Sequence, residues 1–167
     1  MYRERGWRVG YGAVALPIHP KQNIYYKRSR FTTWLPPGHR YTESHYWLAE
    51  QEAGVWHIGF TRFATRMLGD LVEHGFNVQP GEKVTVGQAI AWVEGFKAIS
   101  DIYCVADGEF LGGNPALLED ISLVDSAGYD AGWLYAVKGT PDPNSLDVAG
   151  YIKVLDATID RLRSKYE

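Results

Sequence analysis

The segment Glu94–Asp101 places a lysine between two carboxylates, a combination of residue types suited to chemistry. Lys97 follows the apolar stretch Ala89–Val93 and precedes the apolar stretch Ile99–Val105, and both stretches are typical of β-strands. The pattern predicts a hairpin with Lys97 at its solvent-facing tip. A modifying enzyme can reach such a lysine, and a long group attached there can swing between partner sites. Spacing alone favours an ordinary surface lysine in a turn.

The residues around this hairpin predict a protein built from short strands. Strands are predicted over 45–50, 54–60, 70–78, 83–86, 88–96, 98–105, 109–111 and 133–138. A helix is predicted after Thr61, a suitable N-cap, and is expected to end at Gly69. Asp107-Gly108 is typical of a hairpin turn, and Gly112-Gly113-Asn114-Pro115 is expected to break the strand that follows. Many short strands with glycine-rich turns favour an all-β sandwich or barrel with a few helices.

Residues 1–40 form a basic, aromatic N-terminal extension. They carry eight Lys or Arg residues and one acidic residue, whereas the remainder carries nine Lys or Arg and nineteen acidic residues. We expect the extension to fold back onto the acidic remainder, with Tyr25 to Leu35 extended. Binding to nucleic acid or a membrane surface, and a role as an organelle transit peptide, are alternatives. Aromatic residues such as Trp7 and Trp34 favour packing, so neither nucleic acid nor membrane is an expected partner.

The C-terminal segment changes to helical spacing after Pro141 and Pro143. Its apolar residues predict a helix that packs on the sheet and is capped by Asn144 or Ser145. The chain therefore divides into an extension over 1–40, a strand-rich domain over 41–140 and a helical segment over 141–167.

Tyr41 to Lys138 resembles the H proteins of the glycine cleavage system, which are relatives of lipoyl and biotinyl carrier domains. The matching motifs, in chain order, are Tyr41-Thr42 with His45 and Trp47, Ile58-Gly59-Phe60-Thr61, Phe63-Ala64, Leu68-Gly69-Asp70, Val78 with Pro80-Gly81 and Gly87, Val93-Glu94, Lys97-Ala98, Ser100-Asp101, Gly108-Glu109, Asn114-Pro115-Ala116-Leu117, Asp125-Ser126, Tyr129 and Gly132-Trp133-Leu134. The lysine motif alone is a moderately specific sign of this family, whereas the whole set of motifs in this order is a strong one. The resemblance implies a mainly β barrel-sandwich hybrid with short helices and a C-terminal helix.

The resemblance also implies a carrier that catalyses nothing itself. Lipoate would be attached covalently to Lys97, by a lipoate ligase or lipoyltransferase. The arm would shuttle an aminomethyl group between glycine decarboxylase, aminomethyltransferase and dihydrolipoyl dehydrogenase. We expect a monomer in the cytoplasm, with a mitochondrial or plastid matrix as the alternative location.

Four further residues are expected to belong to the lipoyl site: Glu94, Ser100, Asp101 and His45. Asp101 matches a family position proposed to hold the loaded amine, a cation that a nearby carboxylate stabilises. No metal is expected, because His45, His57 and His74 lack metal-ligand spacing.

Three departures from the family pattern affect these expectations. The family usually has His-Glu-Trp where this chain has His45-Tyr46-Trp47, so one carboxylate is missing, although Tyr46 can still accept a hydrogen bond. Gly95-Phe96 replaces the usual Ser-Val, and we expect Gly95 to add backbone freedom and Phe96 to add exposed apolar area. The extension over residues 1–40 has no counterpart in ordinary H proteins.

Three alternative functions stay open at this point. Tyr46 and the extension are compatible with an H-like lipoate-binding carrier of another pathway, such as sulfur oxidation. A biotinyl carrier usually has methionines beside its lysine, whereas Phe96 and Ala98 flank Lys97 here. An unmodified β binding module is the third alternative.

Replacing Asp101 by asparagine is expected to weaken retention of a loaded arm, because the amide lacks the negative charge that faces the amine. The measurement is the rate at which the aminomethyl intermediate hydrolyses on lipoylated protein. An unchanged rate would remove Asp101 from this role.

Overall fold

A computed structural model describes residues 22–166 of the chain. The strands are β1 (Ile24–Arg28), β2 (Phe31–Leu35), β3 (Arg40–Tyr41), β4 (Tyr46–Glu52), β5 (Val55–Phe60), β6 (Leu71–Phe76), β7 (Lys83–Val84), β8 (Ala89–Gly95), β9 (Ile99–Tyr103), β10 (Ala106–Gly113) and β11 (Tyr135–Pro141). The helices are α1 (Arg62–Leu68), α2 (Ala116–Glu119), α3 (Leu123–Ser126) and α4 (Val148–Lys165). A mainly β fold with short helices and a C-terminal helix is therefore confirmed. None of these four helices is both long and apolar enough to cross a membrane.

The strands form a six-stranded sheet, a three-stranded sheet and a separate two-stranded hairpin. The order is β3-β4-β5-β11-β10-β7 in the large sheet and β6-β8-β9 in the small one, while β1 pairs with β2. All of these pairs are antiparallel. Apolar side chains from both larger sheets, including Ile58, Ile90, Ile102 and Phe110, are buried in one core. The β8–β9 hairpin is thereby fixed by the packing of its inner face.

A second core joins the N-terminal hairpin to the C-terminal helix. Tyr26 and Phe31 of the hairpin pack with Trp47, Tyr151 and Leu155, and all five are buried. The part of the extension that the structure describes thus lies against the body of the protein, as expected. Predictions that concern residues 1–21, including the packing of Trp7, lie outside the described residues. The boundaries after residues 40 and 140 stay predictions.

Ion pairs and a hydrogen bond also join the N-terminal hairpin to α4. Arg28 lies 2.8 Å from a carboxylate oxygen of Asp160 and 3.3 Å from one of Asp156, and Tyr26 donates a hydrogen bond of 2.7 Å to Asp156. Burial, with this hydrogen bond as the second cause, raises the pKa of Tyr26 far above its usual range. Exposed ion pairs contribute little energy, so the apolar contacts of the second core are the main attachment of the hairpin.

The predicted turns at Asp107-Gly108 and Gly112-Gly113 are wrong, whereas the predicted strand break occurs at Asn114-Pro115, after the end of β10. Asp107-Gly108 and Gly112-Gly113 both lie inside β10, which pairs with β11 along its whole length. Gly112 lies at a bulge in that pairing, and Gly108 occupies a place where a Cβ atom would meet the backbone of Lys138. Glycine here permits close backbone approach within a strand, which a local pattern does not distinguish from a turn.

The helix ends agree in part with the prediction. Gly69 ends α1 with a φ of 77°, as expected. Thr61 precedes α1, but its side chain makes no capping bond. The predicted caps of α4, Asn144 and Ser145, are wrong, because Asp147 accepts a hydrogen bond of 2.8 Å from the Gly150 amide.

Candidate functional site

The predicted lysine hairpin is present, and Lys97 is exposed at its tip. β8 ends at Gly95 and β9 begins at Ile99, so the connection is short. The amide of Gly95 donates a hydrogen bond of 2.9 Å to the carbonyl of Ala98, which closes the turn. The predicted position of Lys97 at a solvent-facing hairpin tip is therefore confirmed.

The end of α1 and the connection from α1 to β6 hold the tip of this hairpin. The amide of Lys97 donates to the carbonyl of Leu68, and the amide of Phe96 donates to the carbonyl of Asp70, both over 2.9 Å. The last carbonyls of a helix lack partners within the helix, so a neighbouring loop can use them. The backbone at Lys97 is thus fixed from outside its own hairpin.

Two glycines make this contact possible. A Cβ atom on Gly69 would lie 2.9 Å from Cγ of Lys97, and one on Gly95 would run into the carbonyl oxygen of Leu68. The expectation that Gly95 adds backbone freedom is wrong, because its φ lies outside the left-handed region and the residue is buried against α1. The expected exposure of Phe96 is confirmed, since 78% of the residue is accessible to solvent.

The side chain of Lys97 lies back along α1. Its Nζ donates a hydrogen bond of 3.2 Å to the carbonyl of Arg66. It lines a cavity of about 240 Å³ together with Thr65, Arg66 and Phe96. Arg62, Thr65 and Arg66 were missed by the sequence analysis, although their i, i+3 and i+4 spacing was a signal that they share one face of a helix.

Glu94 and Asp101 lie on one face of the small sheet. Glu94 is opposite Ile99 and Asp101 is opposite Trp92, which makes the two carboxylates diagonal neighbours across β8 and β9. Glu73 of β6 is opposite Glu94, so a third carboxylate lies on the same face. We call Glu73, Glu94 and Asp101 the acidic face. Ser100, opposite the buried Val93, belongs to the other face of the sheet, apart from the acidic face.

Tyr46 occupies the position at which the family that this chain resembles usually has a glutamate. It is buried, and its hydroxyl accepts a hydrogen bond of 2.9 Å from the amide of Tyr103. Burial raises the pKa of Tyr46 to about 12, and the nearby charge of Asp101 contributes in the same direction. The hydroxyl of Tyr46 thus accepts a hydrogen bond from the backbone, whereas a hydrogen bond from the loaded amine stays a prediction, and the residue brings no negative charge at neutral pH.

His45 contacts α4 and the start of α1, away from the lysine tip. Its Nδ1 lies 2.8 Å from the hydroxyl of Tyr151, which in turn lies 2.8 Å from the hydroxyl of Thr61. Its ring packs on Phe63, with 4.5 Å between the ring centres. Burial lowers the pKa of His45 to about 4, and Arg161 acts in the same direction, so the ring is neutral at neutral pH. These contacts give His45 a positioning role, because they tie the start of α1 to α4.

Comparison with known proteins shows a family match and relatives of similar sequence. Residues 39–150 match the family model described as Glycine cleavage H-protein. A glycine cleavage system H protein from Shewanella baltica is 36% identical over 127 residues, which cover 73% of this chain and 96% of the relative. One from Paraburkholderia phymatum is 37% identical over 123 residues, covering 71% and 95%.

A solved structure shows the same similarity in three dimensions. The crystal structure of a glycine cleavage system H protein from Mycobacterium marinum matches with a TM-score of 0.63 and 32% identity, over 70% of this chain and 95% of that chain. The barrel-sandwich class expected from the sequence is thereby confirmed, although the two larger sheets here do not close into one continuous sheet.

Replacing Gly95 by alanine is expected to destabilise the protein by about 1–3 kcal/mol, because the added methyl group overlaps the Leu68 carbonyl and forces the tip away from α1. Urea unfolding measures the change, and hydrogen exchange of the Phe96 and Lys97 amides should become faster. Gly38→Ala is the matched control, because nothing lies within 4 Å of its added Cβ. Equal unfolding free energies and unchanged exchange in the two variants would contradict the proposed contact.

Proposed function

Because this chain belongs to the glycine cleavage H-protein family, it is a lipoyl carrier of the glycine cleavage system, and we propose that Lys97 is the residue that bears the lipoyl group. The observation that carries this proposal is the geometry of the tip. The backbone of Lys97 is fixed by the hydrogen bond to Leu68, whereas its side chain is exposed and makes one weak contact through Nζ. A fixed base with a mobile end suits a swinging arm.

The surroundings of Lys97 fit an attached lipoyl amide. Acylation removes the positive charge of Nζ but leaves one N–H, which can still donate to the carbonyl of Arg66. When attached, the lipoyl group supplies the dithiolane that carries the aminomethyl group between enzymes. The residues of this chain position the arm and supply the charges around it.

The acidic face provides the negative charge that a cationic group on the arm requires. Glu94 and Asp101 are diagonal neighbours close to the tip, and Glu73 extends the face onto β6. Opposite charges at such distances attract, and the attraction is larger where water is partly excluded. We propose that Asp101 and Glu94 stabilise the loaded arm without help from position 46, where Tyr46 is neutral. Ser100 and His45 have supporting roles in this proposal. Ser100 lies next to Asp101 on β9, and His45 helps to tie the start of α1 to α4.

The partners follow from the family. The chain works with the enzymes of the glycine cleavage system, and we propose glycine decarboxylase, aminomethyltransferase and dihydrolipoyl dehydrogenase as the individual partners. A lipoate ligase or lipoyltransferase would attach the arm. We further propose that the chain has no catalytic activity of its own, that it acts as a monomer and that its location is cytoplasmic. The family match does not favour a carrier of another pathway, a biotinyl carrier or an unmodified module.

Replacing Lys97 by arginine is expected to abolish lipoylation and leave the fold intact, because the side chain is exposed and a guanidinium does not form the amide. The measurement is intact mass with peptide mapping, after co-expression with a lipoate ligase in the presence of lipoate. Lys138→Arg on β11 is the matched control, since this lysine is also exposed, and it should be fully lipoylated. A lipoyl adduct on the Lys97→Arg protein would refute the assignment.

A further inference from the structure

A cavity of about 390 Å³ lies between α4 and the turn that precedes β4, and we call it the α4 cavity. Its volume lies in the range of clefts that hold small molecules. Two turn residues and one side of the helix line it: Glu43, His45, Lys153, Val154, Ala157, Thr158 and Arg161. None of these lining residues belongs to α1 or to the β8–β9 hairpin, so the cavity is separate from the surroundings of Lys97.

The helical wall of the α4 cavity places two cations on either side of a small residue. Lys153, Ala157 and Arg161 follow one another at intervals of four residues, so they lie along one side of α4. Lys153 and Arg161 are two turns apart, which is about 12 Å along the helix axis. Because both long side chains line the same cavity, their charged ends can meet at a ligand that lies over Ala157.

The two cations of the α4 cavity have no carboxylate partner within residues 22–166. The ion pairs in that range belong to Arg28 and Arg62, whereas Lys153 and Arg161 are exposed. Glu43 lines the cavity but forms no ion pair with either cation in the same range. Two positive charges thus face one negative charge, and this excess attracts an anion.

His45 adds a neutral hydrogen-bonding group to the opposite wall. Its φ of 73° lies in the left-handed region, which a residue other than glycine keeps only where its surroundings hold it. The His45 amide donates to the carbonyl of Thr42 and the His45 carbonyl accepts from the amide of Thr61, both over 3.0 Å. The ring is therefore held at the wall of the cavity by its backbone.

The contacts of the His45 ring leave one nitrogen for a ligand. Nδ1 lies 2.8 Å from the hydroxyl of Tyr151, whereas Nε2 makes no hydrogen bond in the part of the chain that the structure describes. When Nδ1 accepts the proton of Tyr151, Nε2 carries the N–H of the neutral ring. His45 then donates a hydrogen bond into the cavity without adding a charge.

This set of donors suits a phosphate group better than a carboxylate. The guanidinium of Arg161 can bind two oxygens at once, and the ammonium of Lys153 supplies a point charge. The hydroxyl of Thr158 and Nε2 of His45 supply two further donors, one on each wall. A phosphate monoester has three strong acceptor oxygens, so it can use donors on both walls at once, whereas a carboxylate has two oxygens in one plane.

We propose that the α4 cavity binds the phosphate group of a small molecule, held by Lys153, Thr158 and Arg161 of α4 and by Nε2 of His45. This inference does not depend on the attachment of lipoate to Lys97. Glu43 repels the phosphate and limits its affinity. Free phosphate and a phosphate monoester share this chemistry, and the experiment separates the two sources.

The first test is an NMR titration of the full-length, unmodified chain with inorganic phosphate and, separately, with glycerol 3-phosphate. The pH is slightly above neutral, where the phosphate group is mainly a dianion, and sodium chloride keeps the ionic strength constant. Binding predicts saturable shifts at the Thr158 amide and the His45 ring protons, and the tighter of the two compounds identifies the source. Shifts that do not saturate with either compound, or saturable shifts confined to residues outside the α4 cavity, would overturn the inference.

The second test repeats the titration with charge variants at exposed positions, which leave the fold intact. Lys153→Gln and Arg161→Gln are each expected to raise the dissociation constant about threefold to fivefold, because each removes one cation from the site. Glu43→Gln is expected to lower it about twofold, because it removes the repelling charge.

Lys138→Gln on β11 is the matched control for these variants. It removes the same charge from an exposed lysine that does not line the cavity, so the dissociation constant should stay unchanged. Equal weakening by Lys138→Gln and Lys153→Gln would show attraction by net charge alone and would refute the site. An unchanged dissociation constant in Lys153→Gln and Arg161→Gln would refute it as well.

Discussion

Two backbone hydrogen bonds from the hairpin tip, one to the end of α1 and one to the connection between α1 and β6, determine where Lys97 projects from the fold. The amides of Phe96 and Lys97 donate to the carbonyls of Asp70 and Leu68, and each such bond is worth about 1 kcal/mol net. These bonds connect the hairpin tip to the rest of the protein, because α1 is itself tied to α4 through the hydroxyls of Thr61 and Tyr151. The base of the arm is therefore set by the packing of both cores rather than by the hairpin alone.

The charges around this fixed point divide into two environments. The acidic face presents three carboxylates on the small sheet, whereas Arg62 on α1 is paired with Asp125 on α3. A loaded, cationic arm is stabilised at the acidic face, because opposite charges attract. Tyr46 strengthens the division, since a buried neutral phenol replaces a carboxylate between the two sheets.

The local sequence pattern predicted the strands and the helix end around Lys97, because strand and helix-end preferences act over short stretches of the chain. Apolar stretches predicted β8 and β9, and the left-handed preference of Gly69 predicted the end of α1. The cavity that lies between β2, α1 and α3 was not predictable in this way, because its walls come from residues as far apart as Trp34 and Tyr129. Gly95 and Gly108 were misinterpreted for the same reason: the backbone that they approach belongs to another element.

This chain serves the glycine cleavage system although the neutral Tyr46 stands where the family usually has a glutamate. The most direct test is the exchange of labelled bicarbonate into the carboxyl group of glycine, catalysed by glycine decarboxylase in the presence of the lipoylated chain. Exchange well above that with the unmodified chain is the predicted result. If the chain bears lipoate on Lys97 and exchange stays at the level of the decarboxylase alone, while an H protein of a relative supports it, the claim is contradicted.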